Sequence, residues 1–245
     1  LSDLVAVILA AGTGYRLKPF TDSTPKCLVD VGGRTILDRL LCGLADAGVR
    51  RAIVVAGYLS ERIITHLAVA ALPIDAVTVT NAAYATTNNA VSLAAARSAL
   101  AGRDFILCDG DVVFTVNPFP SLLRSPDDCV VAMDALAPFN AEAMKVELGA
   151  DGHIKTLSKA LTEQQSAGES LGIQRIGGDA LPRLWDAIDV AVARDAVRSY
   201  YEDAFQQLLD QGLRMGVSRV GAGTCLEIDD AADLEAARRL LASTS

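Results

Sequence analysis

Histidine, aromatic residues and basic charge are all scarce in this chain. It has two histidines, His66 and His153, far apart. Neither has a partner at metal-ligand spacing, and no Ser-His-Asp or Cys-His arrangement can be drawn. Both are expected at the surface. Aromatic residues make up 5 % of the chain, and the lone tryptophan, Trp185, suits a helix core better than a stacking platform. The five cysteines, Cys27, Cys42, Cys108, Cys129 and Cys225, are odd in number and contain no CxxC. That excludes a zinc ribbon or a disulfide framework and predicts free thiols in a reducing, cytoplasmic setting. Lys and Arg total 22 against 30 Asp and Glu, a net charge of −8. A general nucleic-acid binder needs the opposite balance. Apolar runs are too short for a membrane span. The opening Leu1-Ser2-Asp3 shows no signal-peptide pattern and lacks an initiator methionine, which leaves room for a longer natural chain.

Hydrophobic residues, in contrast, reach 51 % of 245 residues, enough for a sizeable core. Residues 4–10 form a continuous apolar run, as in a strand buried on both faces of a parallel sheet. Thr35 and Asp38 read as a capping box before a helix with Ile36, Leu37, Leu40, Leu41 and Leu44 on its inner face, ended by Gly48. Strands are expected over 52–56, 76–80 and 104–108, and helices over 60–71 and from Asn88 or Asn89 to 100. This alternation predicts a Rossmann-like, doubly wound α/β fold with a mostly parallel, mixed sheet. Its ligands would lie beyond the carboxyl ends of the strands. In the second half, a strand over 130–133 precedes a hairpin, 144–148 and 153–157, turning at Asp151-Gly152. Residues 161–169 read as a polar loop and 180–211 as two or three helices. Strands over 213–220 and 225–228 and a helix over 230–242 close the chain. One domain, 1–245, is expected. Its nucleotide-binding half covers about 1–111, and an acceptor-binding half with a smaller β elaboration covers about 112–245.

The first strand runs into Leu9-Ala10-Ala11-Gly12-Thr13-Gly14-Tyr15-Arg16. Glycines there allow positive φ and close approach, and successive N–H groups form an anion nest. The glycines alone also suit an ordinary tight turn. Leu17 stands where the third glycine of a dinucleotide-binding loop belongs, and no Walker loop occurs. The segment continues Leu17-Lys18-Pro19-Phe20-Thr21-Asp22-Ser23-Thr24-Pro25-Lys26. A net-acidic chain thus concentrates Arg16, Lys18 and Lys26 beside the nest, on a loop stiffened by two prolines.

Together, residues 10–26 resemble the signature of the sugar-phosphate nucleotidyltransferases, or nucleotide-sugar pyrophosphorylases. The resemblance implies that the loop wraps a nucleoside triphosphate and that Lys26, with Arg16, stabilises charge during attack on the α-phosphorus. Asp109-Gly110-Asp111, at a strand end, and Glu227-Ile228-Asp229-Asp230, where a strand meets a helix, offer hard oxygen ligands suited to Mg²⁺. They equally suit a turn and a helix cap. The resemblance assigns the metal to Asp111 and Asp229, with Asp109 as the alternative to Asp111 and otherwise near the nucleotide.

Further motifs resemble one branch of the family. Asn81-Ala-Ala-Tyr84-Ala-Thr-Thr-Asn88-Asn89 is similar to a segment of phosphocholine cytidylyltransferases. Met144-Lys145-Val146-Glu147 with Lys159, and Tyr200-Tyr201-Glu202-Asp203, resemble regions of the inositol phosphate and aminoethylphosphonate enzymes. On this resemblance Asn81 and Asn88 contact the nucleotide, while Asn89, Lys145, Lys159, Tyr201 and Glu202 contact the acceptor. Exposed hairpin lysines, helix capping by the asparagines and a core role for one tyrosine are the plain alternatives. The implied reaction joins CTP to a small phosphorylated or phosphonate acceptor with release of pyrophosphate. A uridylyl- or thymidylyltransferase for hexose 1-phosphates and a non-catalytic nucleotide-binding regulator are the other readings. No membrane or nucleic-acid partner is implied, and a homo-oligomer is left open.

Overall fold

A computed structural model describes residues 4–136 and 142–243. Leu1-Ser2-Asp3, with their missing signal pattern, lie outside the described residues. Strand β1 (Val5–Ala10) lies inside a mixed sheet. It pairs in parallel with β2 (Arg51–Ala56) on one side and β4 (Phe105–Asp109) on the other, and β2 pairs in parallel with β3 (Asp75–Thr80). Its side chains alternate between two cores: Ala6 and Ile8 belong to one, Val5 and Val7 to the other. A strand covered on both faces has no polar face, which is why the run reads as continuously apolar.

Helices α1 (Ile36–Asp46), α2 (Ser60–Val69) and α3 (Asn89–Leu100) connect these strands. Thr35 accepts a hydrogen bond from the Asp38 backbone at 3.0 Å, one half of the expected capping box, whereas the Asp38 carboxylate turns to His66 rather than back to Thr35. All five inner-face residues of α1 are fully buried, each contributing roughly 2 kcal/mol of apolar burial.

The second half comprises β5 (Val112–Phe114), α4 (Phe119–Arg124), β6 (Val130–Asp134), β7 (Lys145–Leu148), β8 (Ile154–Ser158), β9 (Gly168–Ile176), α5 (Ala180–Asp195), α6 (Tyr201–Asp210), β10 (Gly216–Arg219), β11 (Cys225–Glu227) and α7 (Ala231–Ala242). The sheet runs β10-β6-β9-β4-β1-β2-β3, with the expected β7–β8 hairpin attached to β9. Helices α1, α4 and α7 cover one face, and α3, α5 and α6 the other. Trp185 lies in the second core, stacked on Phe105 with ring centres 5.9 Å apart.

Three features depart from expectation. Residues 168–169, expected to end a loop, begin β9, which inserts antiparallel between β4 and β6. A bulge at Gly172, with φ of +61°, shifts its register against β6. Strand β5 pairs with β11 as a separate ribbon, and α4 follows it; neither was expected. Finally, both histidines are half-buried and paired rather than isolated at the surface. His66 meets Asp38 at 2.7 Å, and His153 meets Asp127 at 3.2 Å and Asp151 at 3.1 Å. No helix among the described residues is long and apolar enough to cross a membrane.

Candidate active site

Because β1, β2 and β4 run parallel and in register, Ala10, Ala56 and Asp109 end on one edge of the sheet. The glycine loop leaves β1 there. Gly14 takes φ of +60°, and a Cβ at that position would stand 3.0 Å from the Lys26 and Thr21 side chains. The loop therefore closes onto Lys26 only without a side chain at 14. Thr21 locks the closure by donating to the Gly14 carbonyl at 2.9 Å. The loop, Lys26, Asn88, Asn89, Asp109 and Asp111 line a cleft of about 430 Å³. Leu9, Ala10, Ala11, Gly12, Gly14, Tyr15 and Arg16 all contribute to its wall, whereas Thr13 is exposed on the loop and does not.

At the base of the cleft the three separated sequence signals meet. Lys26 Nζ lies 2.6 Å from Asp111 Oδ2 and 2.9 Å from Asp229 Oδ1, and Arg16 Nη2 lies 2.9 Å from Asp229 Oδ2. Strand pairing brings the acids together: β5 and β11 are antiparallel, and the Ile228 amide donates to the Asp111 carbonyl at 3.0 Å. Capping falls to Asp230, which accepts from the amides of Ala232 and Asp233, so the Asp229 carboxylate is left to the site. Burial disfavours the charged forms here, but the partners win. Asp111 and Asp229 hold the Lys26 pKa above its ordinary value, and Lys26 with Arg16 hold that of Asp229 below its own.

The two carboxylates already grip one cationic nitrogen between them, so they fit a small divalent cation by charge and donor type. Among the described residues no group of three or more His, Cys, Asp or Glu converges on one point. A pair of carboxylates suits Mg²⁺, which keeps waters and takes substrate phosphate oxygens as further ligands.

Asp109 faces a different environment. It accepts a 2.8 Å hydrogen bond from the Tyr201 hydroxyl, which in turn accepts one from Gln174 Nε2 at 3.3 Å. Burial, reinforced by Glu202 and Asp111, pushes the Asp109 carboxyl well above the usual range. Burial likewise raises Glu202 to about 7.

Three residues expected in the site stand behind it. Asn81 is buried and holds the turn before α3 through Ser92, Thr87 and the Ala83 amide. Tyr201 is fully buried in the core of α6, so its ring offers no face to a ligand and only its hydroxyl reaches Asp109. Lys145 is buried and spends its ammonium on the Lys159 carbonyl at 2.8 Å. Each has internal hydrogen-bond partners that fix it there. Asn88, by contrast, does cap α3, and Asn89 ties α3 to α6 by accepting from the Tyr201 amide at 2.9 Å.

A second cavity of about 520 Å³ adjoins the cleft across Arg16, Asn89, Asp109 and Asp229. Lys159, Tyr200 and Glu202 line it, joined by Asp134, Glu169 and Glu227, which sequence reasoning left without a role. The only available signal was position: Asp134 ends β6, Glu227 ends β11, and Glu169 opens the unexpected β9.

Residues 6–215 match the MobA-like NTP transferase domain. The chain belongs to this family. Among curated relatives, 2-aminoethylphosphonate cytidylyltransferase of Lancefieldella rimae is 36 % identical over 114 residues, 45 % of this chain and 44 % of that one. CMP-5'-(3-aminopropyl)phosphonate synthase of Streptomyces rubellomurinus is 34 % identical over 164 residues, 66 % of this chain and 25 % of that one. The chain thus spans less than half the length of these curated relatives. The solved CTP:phosphocholine cytidylyltransferase of Streptococcus pneumoniae shares the fold, with a TM-score of 0.79 at 22 % identity over 97 % of this chain and 99 % of that one.

Proposed function

We propose that this MobA-like domain is a cytidylyltransferase that joins CTP to a small phosphorylated or phosphonate acceptor. The observation that carries the reading is the meeting of Lys26, Arg16, Asp111 and Asp229 under the glycine loop. The cytidine and acceptor assignments draw support from the relatives that act on aminoalkylphosphonates. On this reading the loop amides, Arg16 and Lys26 receive the triphosphate, and Asn88, which lines the cleft, contacts the nucleotide. An acceptor oxygen, already anionic, attacks the α-phosphorus in line. The new P–O bond forms as the bond to the β-phosphoryl oxygen breaks, and its electron pair leaves on pyrophosphate. No covalent enzyme intermediate is needed. The chain contributes orientation and charge neutralisation, chiefly from Lys26 beside the α-phosphoryl group. Mg²⁺ held by Asp111 and Asp229 would supply further neutralisation of phosphate charge. The free thiols support a reducing, cytoplasmic setting.

Pyrophosphate release measured with CTP, UTP, dTTP, ATP and GTP over a panel of phosphorylated and phosphonate acceptors tests the reading. CTP is expected to be preferred. A preference for UTP or dTTP would overturn the cytidine assignment, and CTP binding without turnover on any acceptor would make the domain a regulator.

A further inference from the structure

The second cavity is short of positive charge. Its two cations are already engaged: Arg16 with Asp229 at 2.9 Å and Lys159 with Glu142 at 3.0 Å. Asp109, Asp134, Glu169, Glu202 and Glu227 all line it, and among the described residues none has a Lys, Arg or His within 4.0 Å. Several of these acids are satisfied by neutral donors. Asp134 accepts from the Leu136 amide at 2.8 Å and the Gly223 amide at 2.9 Å. Asp109 accepts from Tyr201, and Glu202 from Asn89 at 3.5 Å.

Glu169 and Glu227 are left over. They stand on β9 and β11, packed against each other, and no described residue hydrogen-bonds or ion-pairs with either carboxyl. Burial, then the neighbouring Asp134, raises the Glu169 carboxyl. Half-buried carboxylates without partners are costly unless a cation joins them. The wall offers little to a quaternary ammonium, which binds best within several aromatic faces. Tyr200 is the only aromatic side chain on the described wall, and Lys159 already sits 5.2 Å from its ring centre.

On the cytidylyl-transfer reading, we propose that the acceptor carries a protonated primary amine, which donates hydrogen bonds to Glu169 and Glu227 while its phosphoryl end faces Arg16. Glu169 and Glu227 are thus the specificity-determining residues. An N–H donor satisfies both acids at once. A hydroxyl brings no charge, and a trimethylated nitrogen brings charge without donors.

The test compares kcat/KM with CTP for three acceptors of one length: 2-aminoethylphosphonate, its N-trimethylated form and 2-hydroxyethylphosphonate. The amine is expected to exceed both by about 100-fold, the scale of a hydrogen bond to a charged group. Equal or better turnover of either analogue overturns the proposal. Glu169→Gln and Glu227→Gln, checked for folding by circular dichroism, are expected to raise KM for the amine far more than for the hydroxyl analogue. Parallel losses on both acceptors would assign these residues to structure alone and overturn their role. If no acceptor turns over, calorimetry with a non-hydrolysable CTP analogue separates the two claims. Selective binding of the amine sustains the subsite while the transfer reading falls, and binding without discrimination overturns the subsite as well.

Discussion

The two cavities share a wall and balance their charges in opposite ways. In the nucleotide cleft every strong charge at the base has an internal partner: Lys26 bridges Asp111 and Asp229, and Arg16 holds Asp229. Across Asp109, the acceptor side keeps five acidic side chains with no Lys, Arg or His within 4.0 Å among the described residues. The difference teaches how each side receives its ligand. On the cytidylyl-transfer reading, a triphosphate on the first would draw Lys26 and Arg16 off the acids, and a metal would take their place. On the second, nothing has to leave, and a cationic ligand completes an electrostatic set that the chain leaves open.

The largest expected effect breaks the paired side. Lys26→Ala should lower kcat/KM by about 1,000-fold, the scale of losing one donor aimed at developing charge, with the circular dichroism spectrum unchanged. Near-normal steady-state rates would remove Lys26 from the chemistry. A subtler change sharpens the comparison. If Lys26 occupies the point a metal would take, Lys26→Met should let the nucleotide-free protein bind Mn²⁺ about tenfold more tightly, because the competent form is no longer masked. Electron paramagnetic resonance of free Mn²⁺ reads this directly, and unchanged affinity would show that lysine and metal do not compete. The smallest effect belongs to the open side. Glu202 is raised to about 7 in the folded protein against an ordinary 4.5, so the native state holds the extra proton between those values. Its contribution to stability is therefore full below about 4.5 and is lost as the pH rises through about 7. Glu202→Gln should be more stable than the parent at pH 8 by on the order of 1 kcal/mol, about 3 °C in Tm, with no advantage at pH 4. A melting difference independent of pH would mean that Glu202 is not held in its neutral form.

The same contrast separates what could be read from sequence and what could not. The paired side is local in the chain for much of its length. A buried strand, a glycine turn and a stiff basic loop ending at Lys26 are contiguous, so their physics is visible in order. Asp111 and Asp229 each follow a strand and so fall on the ligand edge, but linking them as one candidate metal site rests on the family resemblance, since position alone suits a turn and a helix cap equally well. The open side depends on β9, whose Gly168, Gly172 and Gln174 interrupt any strand pattern and whose direction reverses the usual rule. In an antiparallel strand the ligand edge carries the first residues rather than the last, which is how Glu169 escaped notice. Lys145, Asn81 and Tyr201 show the converse. Their motifs were recognisable, but burial and internal hydrogen bonds, decided only by packing, turned them into supports.

The insertion of β9 also bears on how the molecule is assembled. Strand β4 pairs with β1 on one side and with β9 on the other. Until residues 168–176 emerge from the ribosome, β4 is an unprotected hydrophobic edge, open to pairing with any other chain. Sealing that edge and raising the Glu169 wall are the same event. The parallel strands and the acceptor-side wall therefore belong to one sheet. Cutting the chain before β9 would leave β4 as an open sheet edge rather than yield a smaller binder.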